Sequence, residues 1–100
     1  MTDESADLDT EGLVEELRRF GGSDSERRAV ARQARDLRDS GQYAEDVGTN
    51  LTVSLILSEL TDAPERATDG GPASRWNWWI GSLEVAYGGY SRFQVRRWRE

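Results

Sequence analysis

Residues 75–100 read RWNWWIGSLEVAYGGYSRFQVRRWRE, and whether this stretch coils or folds back on itself decides the fold class of the chain. Read as a helix capped by Ser74, it places Trp76, Trp79, Ile80, Leu83, Tyr87 and Tyr90 at i, i+3, i+4, i+7, i+11 and i+14, one face of a 3.6-residue period. Read as a hairpin, Leu83, Val85 and Tyr87 face Tyr90 and its successors across a two-residue Gly88-Gly89 turn. The hairpin pattern weakens after the turn, where Arg92 and Gln94 share the face of Tyr90 while Phe93 and Val95 point away. A two-stranded sheet would also need support from the rest of the chain. Two adjacent glycines, each about 1 kcal/mol worse than alanine, oppose a continuous helix. Helix is therefore expected from Ser74 through Tyr87, with the segment beyond Gly89 left open.

Working back from this stretch, Asp62 to Pro72 holds both prolines and Gly70-Gly71, so a loop over 62–73 is expected to precede the aromatic segment. Upstream, Thr52 is placed to cap a helix running to Leu60, with Val53, Ile56, Leu57 and Leu60 on one side. A short buried strand is the alternative there, because periodicity alone does not separate the two for a short apolar run. Gln42 to Asn50 reads as a loop, with Tyr43 and Val47 docking on the core. Ser23 and Glu26 form an S-x-x-E capping box at the start of a helix to about Asp39, with Gly41 just past its end. A first helix is expected from Asp9, carrying Leu13, Val14, Leu17 and Phe20 on one face and stopped by Gly21-Gly22.

These elements predict an all-α fold in which three short helices and the aromatic-rich C-terminal helix pack as a small bundle. The alternative is an α+β fold with a C-terminal hairpin around Gly88-Gly89. Residues 1–8 form an acidic N-terminus expected to be disordered, and residues 9–100 a single small domain. Small residues Ala29, Ala31 and Ala34 of the second helix point to close helix packing.

The hydrophobic fraction of 36% leaves only a modest core, and no apolar run approaches the roughly 18 to 20 residues a membrane span needs. The acidic start lacks the basic and apolar regions of a secretory signal, so a cytoplasmic protein without membrane association is expected. With neither cysteine nor histidine, disulfides, thiolate chemistry and ordinary zinc or copper sites are excluded. The serines have no recognisable base partner, and no phosphate-binding glycine loop occurs. No cofactor, metal or catalytic residue is assigned, and the reading is of a protein that is not an enzyme. Glu84, the one acid within the aromatic run, reads as an ion-pair partner of Arg75 or Arg92.

All thirteen basic residues are arginine, against nineteen acids. Residues 1–74 sum to −9 and residues 75–100 to +3. An acidic, lysine-free composition resembles that of small cytoplasmic proteins of haloarchaea, whose surfaces face molar salt where the Debye length is about 3 Å and carboxylate repulsion is screened. That resemblance covers the whole chain and implies salt tolerance but no activity.

Seven of the nine aromatics and five of the arginines fall in residues 75–100, the residue types enriched in interface anchors and in stacking platforms for nucleic acid. A protein-interaction or assembly module is the first reading. Trp78 and Val85 fall off the main apolar stripe and so remain available, with Tyr90, Arg92, Phe93, Arg96, Arg97 and Trp98 as further contacts to a protein partner or a second copy. The second reading is a nucleic-acid-binding accessory protein using the same segment, its rings stacking on bases and its guanidiniums following phosphates. The net charge of −6 opposes it. The stripe Arg28, Arg32 and Arg35 on the second helix reads as a solvated face, with acids nearby as counter-charges.

Overall fold

The computed structural model describes residues 8–64 and 71–96. Five α-helices occur among them: α1 Thr10–Glu16, α2 Asp24–Ser40, α3 Gln42–Val47, α4 Val53–Thr61 and α5 Pro72–Tyr87. Short 3-10 turns follow α1 at Leu17–Phe20 and α5 at Ser91–Phe93, and the described residues contain no strand. The all-α bundle is thus the fold, and the hairpin alternative is overturned. Gly88 and Gly89, both at positive φ, end α5 and turn the chain into a 3-10 segment instead of a second strand.

Local chemistry explains most boundaries. Asp9 caps α1 by accepting the Gly12 N–H at 2.9 Å. Thr52 caps α4 through the Leu55 N–H, which makes the apolar run 53–61 a helix and not a strand. Gly41 adopts the left-handed conformation at φ 74°, ψ −2° and serves both as the end of α2 and as the cap of α3. The loop expected over 42–50 is therefore largely helical. Its short helix was obscured by the single apolar face residue it buries, Tyr43, which meets Trp79 edge-on at 5.7 Å.

At the chain's start, residues 1–7 lie outside the described residues, but Leu8 is buried and joins the core with Leu13 and Leu17. Leu8, included in the segment 1–8 expected to be disordered, is instead held in place by apolar contact with the core. Residues 65–70 of the expected 62–73 loop also lie outside the described residues, while Pro72 and Ala73 already belong to α5.

That early start of α5 has a long-range cause. Its N-cap is Gly71, which has no side chain to offer, and Pro72 at the first position has no N–H to satisfy. The carboxylate of Glu26, on the first turn of α2 and only 5% exposed, accepts the Ala73 N–H at 2.9 Å. The capping box is thus half realised. Ser23 Oγ accepts the Glu26 N–H at 3.1 Å, but the Glu26 side chain reaches across to α5 rather than back to Ser23. A negative charge at the positive end of α5 is favourable as well as hydrogen-bonded.

Glycines clear the space for this contact. A Cβ on Gly22 would lie 2.7 Å from Glu26 Oε1 and 2.8 Å from Pro72 Cδ, and Gly22 stands at φ 79°. Behind it, α2 packs on α1, α3 and α5, and α4 packs on α5. Ala29, Ala31 and Ala34 are all buried along α2, as close approach requires. The centre of the core is α5, with Trp76, Trp79, Ile80 and Leu83 buried and the two tryptophans packed edge to face at 5.4 Å.

Glu26→Ala should lower stability by about 2 kcal/mol, since it strands the Ala73 N–H in a buried setting. Gly22→Ala should cost on the order of 2 kcal/mol through clash and backbone strain. Denaturant melts of both variants check this. A wild-type midpoint for Glu26→Ala would remove the carboxylate from the account of α5.

Candidate functional site

Helix α5 presents three different surfaces, and the sequence-predicted site residues divide among them. The core surface is made by Trp76, Trp79, Ile80 and Leu83. The outer surface carries Trp78, Gly81, Ser82 and Val85, which share one side of a helix at i, i+3, i+4 and i+7. Trp78 is half-buried against the core edge, Ser82 is exposed and turns its hydroxyl to the Trp78 carbonyl at 3.2 Å, and Val85 is 89% exposed. No charged side chain interrupts these four positions.

The third surface holds the chain's own C-terminal segment. Glu84 Oε1 accepts the N–H groups of Tyr90 at 2.6 Å and Ser91 at 3.0 Å, closing the turn after α5. The expected ion pair of Glu84 with Arg75 or Arg92 is not formed. Arg75 instead donates to the Leu60 carbonyl at 2.7 Å and lies 4.5 Å from the Phe20 ring centroid. Arg92 donates to Gln42 Oε1 at 2.8 Å and covers the Phe93 ring at 4.6 Å. The backbone N–H of Tyr90 is the largest influence holding the Glu84 carboxyl below its ordinary value, followed in sign by that of Ser91 and opposed by desolvation.

Further along, Trp76 Nε1 donates to the Phe93 carbonyl at 2.8 Å. Asn77 makes a two-way pair with Val95: its Nδ2 donates to the Val95 carbonyl and its Oδ1 accepts the Val95 N–H, each at 2.8 Å. Gln42 Nε2 on α3 donates to the Gly89 carbonyl at 2.9 Å. Tyr90 is fully buried, and its hydroxyl donates to Asp46 Oδ2 at 2.8 Å. Phe93 and Val95 are buried beside it.

Tyr90 and Phe93 are consequently not surface contacts, a correction to the expected site. Their rings complete the core of a chain with few aliphatic residues. Arg92 and Arg96 are exposed, Arg96 donating weakly to the Ser91 carbonyl at 3.4 Å, and Arg97 and Trp98 lie outside the described residues. The residues missed from sequence are Asn77, Gln42 and Asp46. Asn77 carried a readable signal, since asparagine is a poor mid-helix residue and invites the question of what its amide serves.

The arginine stripe on α2 lines an open groove with Glu11, Glu15 and Asp24. Arg28 Nε bonds Asp24 Oδ2 at 2.6 Å, and that hydrogen bond is the main reason the Asp24 carboxyl sits below its ordinary value and the Arg28 guanidinium above. Among the described residues no cluster of acids is gathered to hold a metal ion, and no helix is long and apolar enough to cross a membrane.

A small all-α domain whose central helix bears tryptophans and the docked segment 90–96 is the class these features define. The chain belongs to the WNWW domain family, whose pattern matches residues 1–84 and so contains Trp76, Asn77, Trp78 and Trp79. No curated protein and no solved structure is significantly similar to it.

Burial, then the hydrogen bond to Asp46, pushes the Tyr90 phenol above its ordinary value of 10.0. The fold therefore holds the neutral phenol more tightly than the unfolded chain does. Its contribution is complete below pH 10.0 and is lost as pH rises above that value. Tyr90→Phe should cost about 1 kcal/mol at neutral pH by removing one hydrogen bond. The same variant should flatten the alkaline fall in melting temperature, leaving the smaller part owed to Tyr43, which burial also raises. An unchanged alkaline slope would mean that Tyr90 does not carry it.

Proposed function

We propose that this protein is a non-enzymatic interaction module whose outer α5 face, Trp78, Ser82 and Val85, docks on a protein partner. The observation that carries this reading is the 89% exposure of Val85. A β-branched residue on an open helix face has below-average helix propensity and gains no burial within the monomer. Beside it, the exposed Ala86 and the 49%-exposed Tyr87 extend the uncharged surface. Trp78 adds the aromatic anchor that contributes most at small interfaces.

The nucleic-acid reading has less support. It asked Tyr90 and Phe93 to stack on bases, and both rings are engaged inside the molecule. The segment's remaining described cations, Arg92 and Arg96, are set against a net charge of −6 for the chain.

Val85→Arg should abolish association at protein concentrations where the wild type associates, with the melting temperature little changed because the site is open to solvent. Sedimentation in high salt, alone and with co-purifying partners, reads the outcome. Equal association of Val85→Arg and wild type would defeat this reading.

We further propose that the protein works in concentrated salt inside the cell. Exposed acids on α1 and α2 include Glu11, Glu15, Glu16, Asp24, Asp36 and Asp39. The ion pairs that partly offset them, Arg18 with Glu15 and Arg19 with Glu16, are themselves solvent-exposed and so contribute little. Melting temperature should rise as salt increases from about 0.1 M to about 2 M, over which the Debye length shrinks from roughly 10 Å to under 3 Å. A flat profile would refute the proposal.

A further inference from the structure

Residues 90–96 are held on α5 and α3 in the manner of a bound peptide rather than of a helix end. After the 3-10 turn at Ser91–Phe93, Gln94 is extended at φ −74° and ψ 147°. The amide of Asn77 then pairs with both main-chain groups of Val95, much as a neighbouring strand would, and the Trp76 indole takes the Phe93 carbonyl. These contacts read main chain, which any extended peptide supplies. Specificity falls to the buried anchors Tyr90, Phe93 and Val95, a Tyr-x-x-Phe-x-Val pattern.

None of these contacts depends on the segment being joined to α5. The join is Gly88-Gly89, where both residues have positive φ and a Cβ on Gly88 would meet nothing within 4 Å. Glycine leaves this joint free to open into other conformations, and short hinges of this kind permit exchange of identical elements between copies. The family pattern stops at residue 84, so it includes the holding residues Trp76, Asn77 and Glu84 but not the segment they hold.

We propose that this cleft is a peptide-binding site of the Tyr-x-x-Phe-x-Val class, filled in cis by residues 90–96 and able to take the same segment from a second copy. It is distinct from the outer face bearing Val85. In the monomer the tethered segment competes at an effective concentration of roughly millimolar order, so trans binding is weak until the cis segment is loosened.

The test uses the full chain and a fluorescent synthetic peptide spanning residues 89–96, read by anisotropy. Phe93→Ala or Val95→Ser in the chain weakens the cis competitor and should raise peptide affinity at least tenfold over wild type, given that competition. Asn77→Ala, added to Val95→Ser, should remove that gain, and Val85→Arg should leave it intact. If Phe93→Ala does not fold, Val95→Ser carries the comparison, because Val95 lies at the segment's far end. Failure of the peptide to bind folded Val95→Ser overturns the proposal. On concentration, two differently labelled wild-type populations should show energy transfer that Asn77→Ala abolishes. Peptide binding without such exchange would overturn the assignment of a second copy as the occupant.

Discussion

One buried carboxylate sets the geometry on which the remainder depends. Glu26 lies on α2 yet caps α5, an element whose own sequence offers glycine and proline where a capping side chain would stand. The contact fixes the two longest helices among the described residues, Asp24–Ser40 and Pro72–Tyr87, relative to each other at their N-termini. It also explains the glycines around it, since side chains at Gly22 and Gly71 would both intrude on the Glu26 oxygens. Once α5 is placed, Trp76 and Trp79 reach the core, and the surfaces for the C-terminal segment and the outer face follow from the helical phase.

The aromatic richness of the last quarter of the chain serves packing first. Two runs of ring contacts, Tyr43–Trp79–Trp76 and Tyr87–Tyr90–Phe93, have centroid distances from 5.4 to 6.3 Å. Each ring supplies more buried area than an aliphatic side chain, which compensates for a chain whose apolar fraction is low. The polar tips remain satisfied: the Trp76 indole and Tyr90 hydroxyl both donate hydrogen bonds. Such a core gains stability and, through those bonds, a fixed path for the segment after α5.

The helices were legible where local signals sufficed. Asp9, Ser23, Thr52 and Gly41 act as the caps their residue types predict, and the periodic stripe of α5 faces inward from Trp76 to Leu83. What escaped was long-range. The S-x-x-E pattern is indistinguishable in sequence from one in which Glu26 serves another helix 47 residues away. Tyr90 continues the α5 stripe by spacing and is indeed buried, but it arrives through a glycine turn rather than another helical turn. Glu84 lies between Arg75 and Arg92 in sequence but binds backbone N–H groups in space, because the positive-φ glycines aim those groups at it.

The run Trp76-Asn77-Trp78-Trp79 condenses this division of labour. At about 100° per residue, four consecutive positions sweep most of a helix circumference, so adjacent residues must face different surroundings. The first and fourth lie only about 60° apart by that geometry and both enter the core. Between them, Asn77 turns its amide to the main chain of Val95, and Trp78 lies toward the outer surface, half-buried. A contiguous motif of this composition is poorly suited to filling a core, since only two of its members share a face. It is well suited to a helix that must contact the bundle, a docked peptide and the exterior at one level along its axis. Those requirements constrain neighbouring positions together, since Trp76 both fills the core and donates its indole N–H to the Phe93 carbonyl of the docked segment.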